Sequence, residues 1–195
     1  MRIGVLALQG DFALHEAALR RCGAEAVPVR KPAELAGLDG LVIPGGESTT
    51  LLKLMDEWGF VPALEKLHAE GKPIFGTCAG LILLAREVEN PRQFSLGLID
   101  IVVERNAYGR QRESFEASCT ALLDGRPVPL ELVFIRAPRI RRIGPGVEPL
   151  ATHGGEPVLA RQGTVLVATF HPELTEDLAV HRYFCDLVRR APAAA

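Results

Sequence analysis

Pro73-Ile74-Phe75-Gly76-Thr77-Cys78-Ala79-Gly80-Leu81-Ile82-Leu83-Leu84-Ala85-Arg86-Glu87 fits a strand, a tight turn and an apolar helix into fifteen residues. Pro73–Gly76 reads as a short buried strand and Ala79–Glu87 as a strongly apolar helix directly behind it, the strand-turn-helix step of an α/β fold. Between them, Gly76-Thr77-Cys78-Ala79-Gly80 is a cysteine version of the G-x-S-x-G elbow. So tight a connection pushes its central residue toward strained dihedrals, and flanking glycines let backbones approach where a Cβ would clash. Cys78 would then stand at the carboxyl edge of a sheet, beside a helix amino-terminus, where open α/β folds bind ligands. The competing reading makes it a small buried hydrophobe in a packing turn.

Toward the amino terminus the alternation continues. Arg2–Leu8 is a continuous apolar strand, and Asp11 is placed to cap a helix carrying Phe12, Leu14, Ala18 and Leu19 before the stop at Gly23. Ala24–Val29 and Gly40–Ile43 follow as strands. The latter runs into Pro44-Gly45-Gly46-Glu47-Ser48-Thr49-Thr50, with Ser48 as the expected cap of a helix to about Glu57, and Val61–Glu70 is a second helix. Short connections between alternating strands and helices imply a parallel sheet covered on both faces.

Toward the carboxyl terminus the pattern changes: Leu98–Glu104, Leu130–Ile135, Pro157–Arg161 and Thr164–Phe170 read as strands between Gly/Pro turns, some pairing antiparallel. A last helix, Glu176–Arg190, brings Leu178, His181, Phe184, Cys185 and Val188 near one face. The expected fold is therefore a single three-layer α/β domain over residues 1–190, an open and mostly parallel sheet with helices on both faces, followed by a frayed tail at 191–195.

The chain has 195 residues, 48% hydrophobic and 24% charged, with a net charge of −2. That composition suits one globular domain and argues against disorder and against a nucleic-acid partner. No apolar run approaches the roughly 20 residues that span a bilayer, so no membrane segment is expected. Cys22, Cys78, Cys119 and Cys185 lie far apart without a C-x-x-C pair, which suggests neither a disulfide framework nor a metal site and fits a reducing cytoplasm.

A nucleophile needs a base, and the base needs an orienting group. His171-Pro172-Glu173 follows an apolar strand and supplies both. Pro172 holds His171 extended, so Glu173 can reach back to one ring nitrogen while the other faces the thiol. Metal ligation by Cys78, His171 and Glu173 is the alternative, but an elbow suits attack better than closed tetrahedral coordination. Acyl chemistry also needs oxyanion donors, for which Gly46 in the diglycine loop and the Ala79 N–H are the candidates; a phosphate cradle is the rival use of that loop. Arg105 and Arg136 stand at strand exits where a guanidinium can grip a carboxylate, in the segments Val102–Arg110 and Phe134–Pro138. Arg139, Arg141 and Arg142 read as solvated loop charge. His15, His68, His153 and His181 have no such company and read as surface or packing residues. Gln9-Gly10, at the exit of the first strand, is expected near the site as a sensor of docking.

Taken together, six blocks resemble the class I (triad) glutamine amidotransferase family. They are Gly4–Gly10, Pro44–Thr50, Gly76–Leu81, Val103–Asn106, Phe134–Pro138 and Phe170–Asp177. Gly-Gly-Glu-Ser-Thr, Glu-Arg-Asn and Ile-Arg-Ala-Pro narrow the resemblance to glutaminases that serve pyridoxal 5′-phosphate (vitamin B6) synthesis. The resemblance implies a flavodoxin-like fold, Cys78 as nucleophile with His171 and Glu173 as its relay, and L-glutamine bound by Gly46, Glu47, Ser48, Arg105, Ile135 and Arg136. It further implies hydrolysis of glutamine to glutamate and ammonia through a thioester, and no cofactor in this chain. The implied partner is a (β/α)8-barrel synthase subunit in a large hetero-oligomer, which receives the ammonia and builds the coenzyme. Rival readings are another glutaminase subunit of the class and a non-catalytic partner-binding module of the same fold.

Overall fold

The computed structural model describes residues 1–105 and 114–191. Asn106 of the Glu-Arg-Asn block, the rest of the segment to Arg110, and tail residues 192–195 lie outside the described residues.

The chain runs β1 (Arg2–Leu6), α1 (Phe12–Arg21), β2 (Glu25–Val29), β3 (Gly40–Ile43), α2 (Ser48–Glu57), α3 (Phe60–Ala69), β4 (Ile74–Thr77), α4 (Ala79–Leu84) and β5 (Ala85–Glu89). It continues through β6 (Ile99–Glu104), β7 (Ser114–Leu123), β8 (Arg126–Ile135), β9 (Arg139–Ile143), β10 (Glu148–His153), β11 (Glu156–Gln162), β12 (Val165–Ala168) and α5 (Ala179–Arg190). The central sheet has seven strands in the order β10-β11-β12-β4-β3-β1-β2. From β2 to β12 every pairing is parallel, and β11 and β10 add on antiparallel.

Alternation along the buried strands sorts their side chains into two cores, because successive residues of a strand point to opposite faces. Leu6, Leu41, Ile43, Ile74, Val165 and Val167 pack under α2, α3 and α4, together with β5, β6 and β9. Ile3, Val5, Val42, Phe75, Leu166 and Ala168 pack under α1 and α5 and against the β7–β8 hairpin. The sheet is thus covered on both faces, as the apolar runs require.

Four differences from the sequence reading have physical causes. The helix expected over Ala79–Glu87 stops at Leu84, and Ala85–Glu89 pairs in parallel with β6 instead. The long hairpin strand β7 escaped notice because its half-buried positions, Phe115, Ala117 and Cys119, are mostly small. β9 escaped because it is arginine-rich: Arg141 is no loop charge but pairs with Glu104 and Glu156 from neighbouring strands. β10 is exposed at three of its six positions. Among the described residues no helix is long and apolar enough to cross a membrane.

Candidate active site

β4 ends at Thr77 and α4 begins at Ala79, so Cys78 alone makes the turn, with φ 48° and ψ −102°. Its N–H donates to the Ala168 carbonyl of β12 at 2.9 Å, which pins the strained residue to the sheet edge. The flanking glycines are required by close approach. A Cβ on Gly80 would lie 2.1 Å from the Ile43 carbonyl oxygen, and one on Gly76 would lie 2.7 Å from the Gly80 backbone. Backbone, unlike a side-chain tip, has nowhere to go.

His171 follows β12 and is held by its N–H, which donates to the Val133 carbonyl of β8 at 2.8 Å. Its Nδ1 lies 2.8 Å from Glu173 Oε1, while Nε2 is buried without a hydrogen-bond partner. Burial opposes charge on this ring, but its interactions with Cys78 and Glu173 outweigh that and raise its pKa to about 10. Glu173, with its side chain fully buried, is shifted the other way: burial pushes its carboxyl up, and the neighbouring His15 and His171 bring it below the ordinary value. An imidazole with a carboxylate on one nitrogen and an unengaged second nitrogen can take a proton from a thiol and return it to a leaving group.

The diglycine turn after β3 closes over this pair. A Cβ on Gly45 would stand 2.5 Å from His171 Cε1 and 3.3 Å from Cys78 Cβ, so the turn touches both residues. Gly46 has φ +133°, and a Cβ there would meet the Gln9 amide at 2.6 Å. Gln9 does lie at this edge, its Oε1 accepting from the Glu47 N–H at 3.2 Å. Ala79, as the first residue of α4, has an N–H with no acceptor inside the helix.

Cys78 and His171 line a cavity of about 240 Å³ with Gly46, Glu47, Ser48, Arg105, Ile135 and Arg136, so the structure gathers every residue expected to contact glutamine. Asp11, Ile82 and Pro138 complete its wall. The sequence places Asp11 to cap α1, but its side chain makes no capping hydrogen bond. The cap of α2 is also corrected. Glu47, not Ser48, accepts from the N–H groups of Thr49 at 3.0 Å and Thr50 at 2.7 Å. Although burial pushes the other way, those hydrogen bonds lower the Glu47 pKa to about 2.

Arg105 is tethered rather than free: Nη1 donates to Gln93 Oε1 at 2.5 Å, and Nη2 to Thr49 Oγ1 at 3.2 Å, with Glu47 Oε1 at 3.5 Å. Ser48 Oγ donates to the same Gln93 oxygen at 3.1 Å. Gln93, from a stretch the sequence left undistinguished, is therefore the hub that orients two expected ligand-binding residues. Arg136 has φ 42°, a left-handed conformation that turns the chain sharply after β8.

Sequence reasoning also missed two histidines. His15 and His181 are both 0% exposed, and His15 Nε2 lies 3.3 Å from Glu173 Oε2. Periodicity places each on the apolar face of its helix, but only the fold shows that the two faces meet behind Glu173. Among the described residues no group of His, Cys, Asp and Glu is arranged to hold a metal ion.

The chain closely resembles proteins of known class. A protein from Koribacter versatilis named pyridoxal 5′-phosphate synthase subunit PdxT is 57% identical over 189 residues, 97% of this chain and 96% of its own. The protein of that name from Pelotomaculum thermopropionicum is 56% identical over 191 residues, 98% of this chain and 97% of its own. A crystal structure of a glutamine amidotransferase superposes with a TM-score of 0.89 at 53% identity, covering 96% of this chain and 98% of that one. Residues 5–190 match a family in which the chain is thereby placed: it belongs to the SNO glutamine amidotransferase family.

Proposed function

We propose that this chain is the glutaminase subunit of a pyridoxal 5′-phosphate synthase, working in the cytoplasm with residues 1–190 as one domain. Its relatives bear that subunit's name over nearly their whole length. The observation that carries the chemistry is the convergence of Cys78, on a strained elbow, with the unengaged Nε2 of His171 at the wall of one cavity.

The Cys78 thiolate attacks the side-chain amide carbon of L-glutamine, and the carbonyl electrons move onto oxygen. The N–H groups of Gly46 and Ala79 receive that oxyanion; losing one such donor typically costs about 3 to 4 kcal/mol of barrier. His171, as imidazolium, protonates the departing nitrogen, the C–N bond breaks, and ammonia leaves a thioester. His171 then takes a proton from water, hydroxide adds to the thioester, and glutamate departs as the thiolate re-forms. The α-amino and α-carboxylate groups of glutamine require an anion and a cation side by side. Glu47 and Arg105, 3.5 Å apart, supply the pair, with Arg136, Ser48 and Ile135 completing the pocket.

Ammonia released into neutral water becomes ammonium and loses its nucleophilicity, so the product must pass directly to a synthase subunit docked at this sheet edge. That subunit is a (β/α)8 barrel, which holds the coenzyme and its sugar-phosphate precursors. The test is mass spectrometry after treatment with a glutamine-mimicking electrophile, with and without the synthase subunit. Labelling confined to Cys78 and blocked by glutamine is expected; labelling elsewhere, or none with the partner present, rejects the reading.

A further inference from the structure

His15, His181 and Glu173 are buried together, and none of them lines the cavity. His15 Nδ1 lies 2.9 Å from His181 Nε2, and His15 Nε2 lies 3.3 Å from Thr77 Oγ1 and 3.3 Å from Glu173 Oε2. At the ends of this array, Glu173 Oε2 and His181 Nδ1 are both buried without a hydrogen-bond partner, the His15 Nε2 contact at 3.3 Å being a close approach to Oε2. Burial lowers the proton affinity of both imidazoles, that of His181 to about 3, so each carries one proton.

Two neutral imidazoles in contact can be ordered in only two ways. If His15 carried its proton on Nδ1, the bare Nε2 would face the carboxylate oxygen at 3.3 Å, lone pair against negative charge. If the proton sits on Nε2, it serves Glu173 Oε2 and Thr77 Oγ1, and His15 Nδ1 accepts from His181 Nε2–H. The unpartnered His181 Nδ1 is then the harmless end of the chain, a bare lone pair in an apolar surround. The groups facing His15 are Asp11 at the start of its own helix, His181 from α5, Thr77 from β4, and Glu173 and His171 from the segment after β12. The only net charge among its buried neighbours that needs a donor is the carboxylate.

We propose that His15 is a positioning residue for Glu173, its Nε2–H holding Oε2 so that Oε1 stays on His171 Nδ1, with His181 fixing the His15 tautomer. The proposal rests on the glutaminase reading, in which Glu173 orients His171. A carboxylate held at one oxygen only can rotate away from the imidazole; one held at both cannot. Because His15 does not reach the cavity, its loss acts on turnover and leaves glutamine affinity alone.

The experiment uses the full chain with its co-expressed synthase subunit. His15→Phe is expected to lower kcat for glutamine hydrolysis by about 10- to 100-fold, as for loss of an outer hydrogen-bond partner elsewhere, with KM within about twofold. His15→Gln, which keeps an N–H donor, recovers part of that loss. Nitrogen NMR of the unsubstituted chain should show His15 and His181 both protonated at Nε2, and the His171 titration midpoint should fall in His15→Phe. Unchanged kcat in a folded His15→Phe variant, or a His15 proton on Nδ1 in the unsubstituted chain, overturns the proposal, and the second measurement stands even where the variant fails to fold. An unsubstituted complex that hydrolyses no glutamine fails the functional reading instead, and the tautomers still judge the geometry.

Discussion

Gly45, Gly46 and the strained Cys78 reach the site from loops after β3 and β4, with Gly10 of the loop after β1 packed against the Gly45 backbone, whereas Ile135, Arg136, His171 and Glu173 come from the ends of β8 and β12. The first half of the chain brings glycine backbone close against the site, beside the side chains of Cys78, Glu47, Ser48 and Asp11; the second half brings side chains. Parallel strands all end at the same edge, so their loops crowd one another and leave room for little beyond glycine. Of the later strands, β12 ends at that same edge beside β4, whereas β8 belongs to a separate hairpin whose end contributes the side chains of Ile135 and Arg136. Damage should therefore take two forms, an added carbon in one half and a lost donor or charge in the other.

The largest effect expected is at the one reactive side chain that the crowded half supplies. Cys78→Ala should reduce glutamine hydrolysis by about 10⁴-fold or more, since positioning and oxyanion donors without a nucleophile leave only residual catalysis. Rate measurements on the purified complex decide this; a variant retaining a tenth of the activity would return Cys78 to a packing role. Next comes an added methyl group. Gly45→Ala places carbon 2.5 Å from His171 Cε1, and the forced shift should cost about 100-fold in rate and about 1 to 3 kcal/mol in stability. Comparing kcat with the denaturation midpoint checks both, and a silent substitution would show that the turn can retreat.

The same asymmetry explains what could be read in advance. β1, β3, β4 and β12 are uninterrupted apolar runs and the elbow is a fixed spacing of glycines, so both are local signals. β7 and β9 carry no such signal, because the half-buried positions of β7 are mostly small and the arginines of β9 are neutralised by partners remote in sequence, Glu104 and Glu156. Cys78, His171 and the diglycine loop were legible because each carries its chemistry in a few adjacent residues. Gln93 was not, since its role arises only where Ser48 and Arg105 converge on it. His15 shares a helical face with Ala18 and Leu19, which marks it as buried but not as the neighbour of a carboxylate from the far end of the chain.

A smaller effect crosses between the halves. His171 is held protonated up to about pH 10 by Cys78 and Glu173 against the pull of burial. Its contribution to stability is complete below its unfolded value of about 6.5 and is lost as pH rises from there through 10. In Cys78→Ala one supporting partner is gone and burial gains weight, so the His171 midpoint followed by NMR should move down. A midpoint unmoved by the substitution would mean that the thiol and imidazole do not communicate.

The smallest expected effect compares the residues that stand just before two helices. Glu47 accepts two N–H groups at the start of α2, whereas Asp11 makes no capping hydrogen bond at the start of α1, although both line the cavity. Glu47→Ala should destabilise the fold by about 1 kcal/mol, the usual cost of a lost cap, and Asp11→Ala by clearly less. The Glu47 carboxyl is lowered from 4.5 to about 2, so its contribution exists above pH 4.5 and disappears as pH falls from there toward 2. Denaturation curves of the unsubstituted chain and Glu47→Ala should therefore converge on acidification. Equal losses for the two alanine variants at neutral pH would mean that charge near a helix start, rather than the two directed hydrogen bonds of Glu47, is what holds these first turns.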